Sequence, residues 1–271
     1  MPHVPPPPAG RGGEAQTLDD IELIVEGSGP KTIVMIHGWP DTHRLWDAQV
    51  EALKDRYRCV RFTLPGFEPG APRGAYPFSE LMDHFRKIVE PFSPVTLLLH
   101  DWGCFFGYQF AMRHPELVER MIGVDIGDAG SRAHLAQIGA SGKLKIVGYQ
   151  VWLALAWVLG SDAMARMMAR LLRVPPGREA RAQMGYPYAM RWFGVAGGFK
   201  DLRVFKPHCP MLFLYGERKP VMFHSDTWAR QVESRAFKTG HWVMVQARDQ
   251  FNEALLQWLS IKDSLQDRAT A

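Results

Sequence analysis

Leu97-Leu98-Leu99-His100-Asp101-Trp102-Gly103-Cys104-Phe105-Phe106-Gly107 is an apolar run that stops abruptly at Asp-Trp-Gly. A helix-compatible segment without proline follows as far as Pro115. That pattern predicts a buried strand, a tight bend, and a helix whose first turn points back at the bend. Asp101 stands in the bend itself. A carboxylate held in such a place can act as a nucleophile, attacking saturated carbon to form an alkyl ester.

Three other segments surround this one. Thr32-Ile33-Val34-Met35-Ile36-His37-Gly38-Trp39-Pro40 is a β-rich run ending in His-Gly-Trp-Pro. Arg61-Phe62-Thr63-Leu64-Pro65-Gly66-Phe67 closes a further strand, and Gly240-His241-Trp242 precedes a C-terminal amphipathic helix. In this order and at these separations they resemble the epoxide hydrolase and haloalkane dehalogenase branch of the α/β-hydrolase superfamily, over about residues 20–262. The resemblance implies an α/β fold: a mostly parallel central sheet flanked by helices, with an inserted helical cap. It also implies that Asp101 occupies the nucleophile elbow usually written around serine, so that epoxides or alkyl halides are the substrates. Two residues depart from the pattern. Leu99 stands where epoxide hydrolases usually carry a small residue, although dehalogenases often carry a bulky aliphatic one there. Cys104 stands where a second glycine is common, so a slightly altered bend is expected.

The bulk properties fit one large domain with an insertion. A chain of 271 residues, 46% apolar and 22% charged, can bury a sizeable core. The net charge of +4 reads as spread along the chain with no polybasic block, which argues against a nucleic-acid groove. Cys59, Cys104 and Cys209 form no CxxC pair, which points to a reducing, cytoplasmic setting and no metal site. Residues 1–17 are rich in Pro and Gly, lack the apolar core of a signal peptide, and are expected to be a disordered tail. The charge-free stretch from Ile146 to Ser161 is shorter than a membrane span and reads as a cap helix buried against the catalytic domain. Weak contact with a membrane surface stays open.

Strands are expected at 21–26, 32–37, 58–64, 95–100, 121–126, 211–215 and 236–238, with helices at 45–54, 78–89, 104–113 and 247–260. Alternation of this kind implies a parallel sheet covered on both faces. Between about 130 and 205 strand signals vanish and helices are expected at 143–160, 161–173 and 179–193. The expected organisation is therefore a catalytic domain of residues 18–129 and 206–271, with a cap of residues 130–205.

The resemblance distributes the chemistry. Asp101 is the expected nucleophile and His241 the base, an imidazole mostly neutral near pH 7 that takes a proton from water. Backbone N–H groups of Trp39 and Trp102 would form the oxyanion hole. His37 reads as shaping its loop rather than reacting. The expected acid is missing from Leu214-Tyr215-Gly216-Glu217-Arg218-Lys219-Pro220, where Lys219 stands in its place. Asp125, near the end of the preceding sheet strand, is the preferred substitute, with Asp128, Glu217 and Asp226 as alternatives.

The leaving group separates the two branches. Epoxide opening needs an acid for the departing oxygen, and two cap tyrosines are expected to supply it: Tyr149 in Gly148-Tyr149-Gln150, and Tyr188 in Gly185-Tyr186-Pro187-Tyr188 with Tyr186 close behind. Trp152 and Trp157 are candidates for the pocket lining. Halide needs only donors such as an indole N–H, and Trp102 could serve. Position 39, however, is Trp where many dehalogenases use Asn. An epoxide hydrolase acting on a small lipophilic epoxide and water, without cofactor or metal, is thus the leading expectation. A haloalkane dehalogenase is the alternative, and a non-catalytic binding protein on the same fold is the alternative of another class. No Gly-x-Ser-x-Gly occurs, which argues against a serine esterase.

Overall fold

The computed structural model describes residues 14–18 and 21–270, with side chains from 21 to 268. Eight strands form one sheet in the order β1-β2-β4-β3-β5-β6-β7-β8. They are β1 (Glu14–Leu18), β2 (Ile21–Glu26), β3 (Lys31–Ile36), β4 (Tyr57–Phe62), β5 (Val95–His100), β6 (Val118–Val124), β7 (Met211–Gly216) and β8 (Glu233–Phe237). β1 and β2 run antiparallel, β2 also runs antiparallel to β4, and all other neighbours are parallel.

β5 lies mid-sheet between β3 and β6, with Leu97 registered on Val34 and on Met121. All six of its residues are buried, because helices cover both faces and leave no solvent side for polar residues. Leu97 and Leu99 join a core with α2 (Phe78–Val89) and α3 (Trp102–Arg113), through Leu81, Phe85, Phe106 and Phe110. Leu98 faces the opposite core, built with α1 (Asp47–Leu53) and α10 (Arg248–Thr270) through Val50, Leu53, Phe251 and Leu255.

Between β6 and β7 a helical insertion forms α4 (Arg132–Gln137), α5 (Gly139–Leu159), α6 (Asp162–Leu171) and α7 (Tyr186–Phe193). Two short helices after β7 and β8, α8 (Asp226–Ala229) and α9 (Val243–Gln246), complete the set.

Several expected boundaries move. Glu14–Thr17 falls in the stretch expected to be disordered, yet with Leu18 it pairs with β2, whose outer edge offers free N–H and C=O groups to any extended neighbour. The rest of that expected tail lies outside the described residues. The strand expected at 121–126 is β6, ending at Val124, so Asp125 lies just beyond it with φ 70°. The segment expected at 179–193 is a 3₁₀ turn, Ala182–Gly185, leading into α7, whose second residue is Pro187. α4 and α8 were not expected; serine side chains cap both, Ser131 accepting from the His134 N–H and Ser225 from the Trp228 N–H.

Candidate active site

The carboxyl ends of β3, β5, β6, β7 and β8 bring their loops to one edge of the sheet, where ligands bind in open α/β folds. Asp101 connects β5 to α3 with φ 52° and ψ −121°, a backbone conformation that costs energy in any residue other than glycine. The neighbours permit it. A Cβ on Gly103 would collide with the carbonyl oxygens of Ile36 and His37, and one on Gly38 would lie 2.5 Å from the Trp102 nitrogen and 2.6 Å from the Asp101 Cβ. Bare backbone therefore lets the loop carrying Trp39 lie alongside the first amides of α3, which have no partner inside the helix. Leu99 is accommodated rather than disruptive: its side chain occupies the space left open by Gly107 on α3. The Cys104 thiol donates to the Leu99 carbonyl at 3.3 Å, and burial pushes it up to about 12.

His241 lies between β8 and α9 and bridges two carboxylates. Its Nδ1 hydrogen-bonds Asp125 Oδ2, and its Nε2 lies 3.7 Å from Asp101 Oδ2. Asp125 is fully buried, and its other oxygen accepts from the Gly216 N–H at 2.9 Å and from the Lys219 ammonium. Burial works against the Asp125 charge, but Lys219 and then His241 outweigh it and hold the carboxyl below its usual range. For His241, burial disfavours the charged ring, while Asp125 and Asp101 reverse this and raise it to about 9. An imidazole sharing Nδ1–H with a carboxylate presents Nε2 to the bend.

A family model described as the alpha/beta hydrolase family matches residues 33–254. The chain belongs to the alpha/beta hydrolase family. Among solved structures, this hydrolase resembles a mutant of an epoxide hydrolase from Bacillus megaterium, with TM-score 0.69 and 17% identity over 91% of this chain and 100% of the other. It also resembles an esterase from Exiguobacterium antarcticum, with TM-score 0.65 and 19% identity over 92% and 99%. Both likenesses concern the fold. In sequence it is 34% identical over 127 residues to "Probable oxidoreductase EphD" of Mycobacterium tuberculosis, covering 43% of this chain and 21% of the relative. It is 30% identical over 117 residues to epoxide hydrolase 1 of Caenorhabditis elegans, covering 41% and 29%. The matched segments thus span less than a third of either relative's length.

Two of the other candidate acids are engaged elsewhere in this hydrolase. Asp128 accepts from the Ser225 N–H and from the hydroxyls of Ser131 and Ser225, and Asp226 accepts from Gln137 at the start of α8. Glu217 is exposed. One tyrosine of the insertion, Tyr188, reaches the bend, and a second, Tyr149, lies beside it. The Tyr188 ring stands edge-on to Trp102 at 5.1 Å and to Trp39 at 6.3 Å, and the Tyr149 ring lies 6.2 Å from that of Tyr188. Burial raises both phenols above their ordinary range, and the Asp101 charge adds to it. The Tyr149 hydroxyl accepts from Gln150 at 3.2 Å, and Gln150 accepts in turn from the Trp192 indole at 3.1 Å.

The remaining pocket candidates pack within the fold. Tyr186 lies against Phe67 and Tyr76, the Trp152 indole donates to the Met164 carbonyl at 3.0 Å, and Arg73 sits over the Trp157 ring. His37 is structural in its contacts: Nδ1–H donates to the Gly38 carbonyl, Nε2 accepts from the Leu64 N–H, and burial lowers the ring to about 3.

Sequence reasoning missed two neighbours of the histidine. His100, fully buried, sets its ring 4.4 Å from that of His241, tilted by 41°, and donates Nε2–H to the His241 carbonyl at 3.2 Å. Burial, then the charge on His241, hold it well below the ordinary range, so it stays neutral. Asp41 is also buried; it accepts from the Trp242 indole at 2.8 Å and pairs with Arg178 of the insertion. The only local signal was its place directly after His-Gly-Trp-Pro.

Proposed function

We propose that this alpha/beta hydrolase is an epoxide hydrolase that converts a small lipophilic epoxide to a vicinal diol. Asp101 attacks one ring carbon, the C–O bond opposite it breaks, and the departing oxygen takes a proton with help from the Tyr149 and Tyr188 hydroxyls. His241, oriented by Asp125, then removes a proton from water. The resulting hydroxide adds to the ester carbonyl, backbone N–H groups of Trp39 and Trp102 hold the oxyanion, and collapse of the intermediate releases the diol and restores the Asp101 carboxylate. The proton held by His241 returns through solvent to the tyrosines. No cofactor takes part, and residues 130–205 serve as the cap.

The observation that carries this reading is the meeting of three groups at one point. His241 faces Asp101 while bound to Asp125, and Tyr188 packs on the tryptophan next to Asp101. The epoxide hydrolase names among its relatives support the choice of substrate. A second reading, displacement of halide from an alkyl halide, is favoured by one feature: the indole N–H groups of Trp39 and Trp102 are buried without a partner among the described residues.

Mass spectrometry of His241→Ala mixed with styrene oxide or a bromoalkane tests both. The expected result is an ester trapped on Asp101 from the epoxide. An ester from the bromoalkane alone would select the second reading, and a folded protein that gives no adduct with either would overturn both.

A further inference from the structure

We propose that the outer face of α5 docks on an anionic membrane surface. α5 is apolar all round, and its only charges are Lys143 and Lys145. A helix of that composition belongs inside a protein. Among the described residues only one side of it is covered, the side bearing Tyr149, Leu153, Ala156 and Trp157.

At about 100° per residue, Leu144, Val147, Gly148, Val151, Leu155, Val158 and Leu159 fall in one stripe about 120° wide and about 22 Å long on the opposite side. Leu144 is 73% exposed and Leu159 67%, and the space beside Gly148 is open. Lys143 and Lys145 flank the stripe, about 100° to either side of Leu144. α6, packed on α5, adds exposed Met167 and Leu171 beside Arg166 and Arg170.

The charge distribution names the occupant. Along the sequence the net charge reads as evenly spread, but it is not. Residues 130–205 hold 11 of the 32 Lys and Arg and 3 of the 28 Asp and Glu, a balance of +8 in a chain whose total is +4, so the remainder carries −4. A second copy docked face to face would set these positive surfaces against each other. A lipid surface bearing negative headgroups complements them and takes up the apolar stripe as well. No helix among the described residues is long and apolar enough to cross a membrane, so α5 would lie in the interface plane.

Flotation of the full chain with phosphatidylcholine vesicles, with and without phosphatidylglycerol and at low and high salt, tests this. The expected result is binding that requires the anionic lipid and weakens with salt. Leu144→Ser with Leu159→Ser should lower it about tenfold or more per leucine. Arg166→Gln with Arg170→Gln keeps the stripe and should lose much of the preference for anionic lipid. All four side chains are exposed, and unchanged melting temperatures will confirm folded variants. Failure of the wild type to float at low salt, or equal flotation of the stripe variants, would overturn the proposal. So would light scattering that shows a stable dimer dispersed by the stripe substitutions, since a second copy would then cover the face.

Discussion

Lys219 places its ammonium on the same carboxylate that holds His241: Asp125 Oδ1 takes the lysine while Oδ2 takes the imidazole. The cation therefore competes with His241 for the charge of Asp125 and disfavours the imidazolium. Lys219→Met removes that competitor without shortening the stem. The expected outcome is a rise in the pH at which His241 loses its proton, so the limb of the pH profile governed by His241 moves to higher pH. Single-turnover hydrolysis of the alkyl-enzyme across pH measures this. An unmoved profile would mean that the lysine only fills space.

The raised His241 has two consequences. With both carboxylates charged, the ring sits near 9. In the proposed alkyl-enzyme, esterification would remove the Asp101 charge and let Nε2 shed its proton when water must be activated. Asp101→Asn mimics that state and should lower the ring below 9, as read by NMR titration of the imidazole. The same shift contributes to stability. Because the folded value lies above the unfolded 6.5, the contribution is complete below about 6.5 and is lost as pH rises through about 9. The melting temperature of the wild type should therefore exceed that of His241→Gln most at mildly acidic pH, and the gap should close in alkali.

Asp125→Asn should slow ester hydrolysis by about 10⁴-fold, the scale at which loss of the orienting acid acts in a serine triad. Glu217→Gln, at an exposed residue, and Asp226→Asn, at a carboxylate bound to Gln137, should leave it unchanged. Rapid-quench measurement of ester decay separates these cases, and a stalled Asp226→Asn would move the acid elsewhere.

The sheet and the Asp101 bend were legible because their signals are local. An apolar run buried on both faces has no solvent side to blur it, and Asp-Trp-Gly marks its end. The edge strand β1 was not, since it forms only by pairing with β2. Lys219 was visible as a departure, but its bond to Asp125 joins loops 94 residues apart and depends on how the sheet aligns β6 with β7. Tyr149 and Tyr188 were singled out through resemblance alone, and the structure sets their rings together, with Tyr188 on Trp102. Tyr186, two residues before Tyr188, differs from it only in which side of α7 it lies on, and the local sequence does not encode which side meets the bend.

Tyr149→Phe and Tyr188→Phe remove only hydroxyls. If these donors assist the departing oxygen, each variant should slow alkylation by an epoxide by about 10²-fold, and the double variant by more. Bromide leaves without a proton, so alkylation of Asp101 by a bromoalkane should be nearly unaffected. Equal losses with both reagents would assign the rings to packing.

Arg178 reaches from the insertion to Asp41, which also holds the Trp242 indole, so one buried carboxylate ties the insertion to the residue that follows His241. Removing one partner of such a pair strands the other, at a cost of about 3–5 kcal/mol. Burial is the largest influence on Asp41 and already raises its carboxyl, with Arg178 the main opposing group. Arg178→Met should therefore raise it further. The destabilisation should be greatest where Asp41 must be charged and should shrink as acid protonates it. Asp41→Asn combined with Arg178→Met should recover part of the loss at neutral pH, because no stranded charge remains. Thermal melts of the single and double variants across pH measure this coupling, and additive losses independent of pH would break the proposed tie.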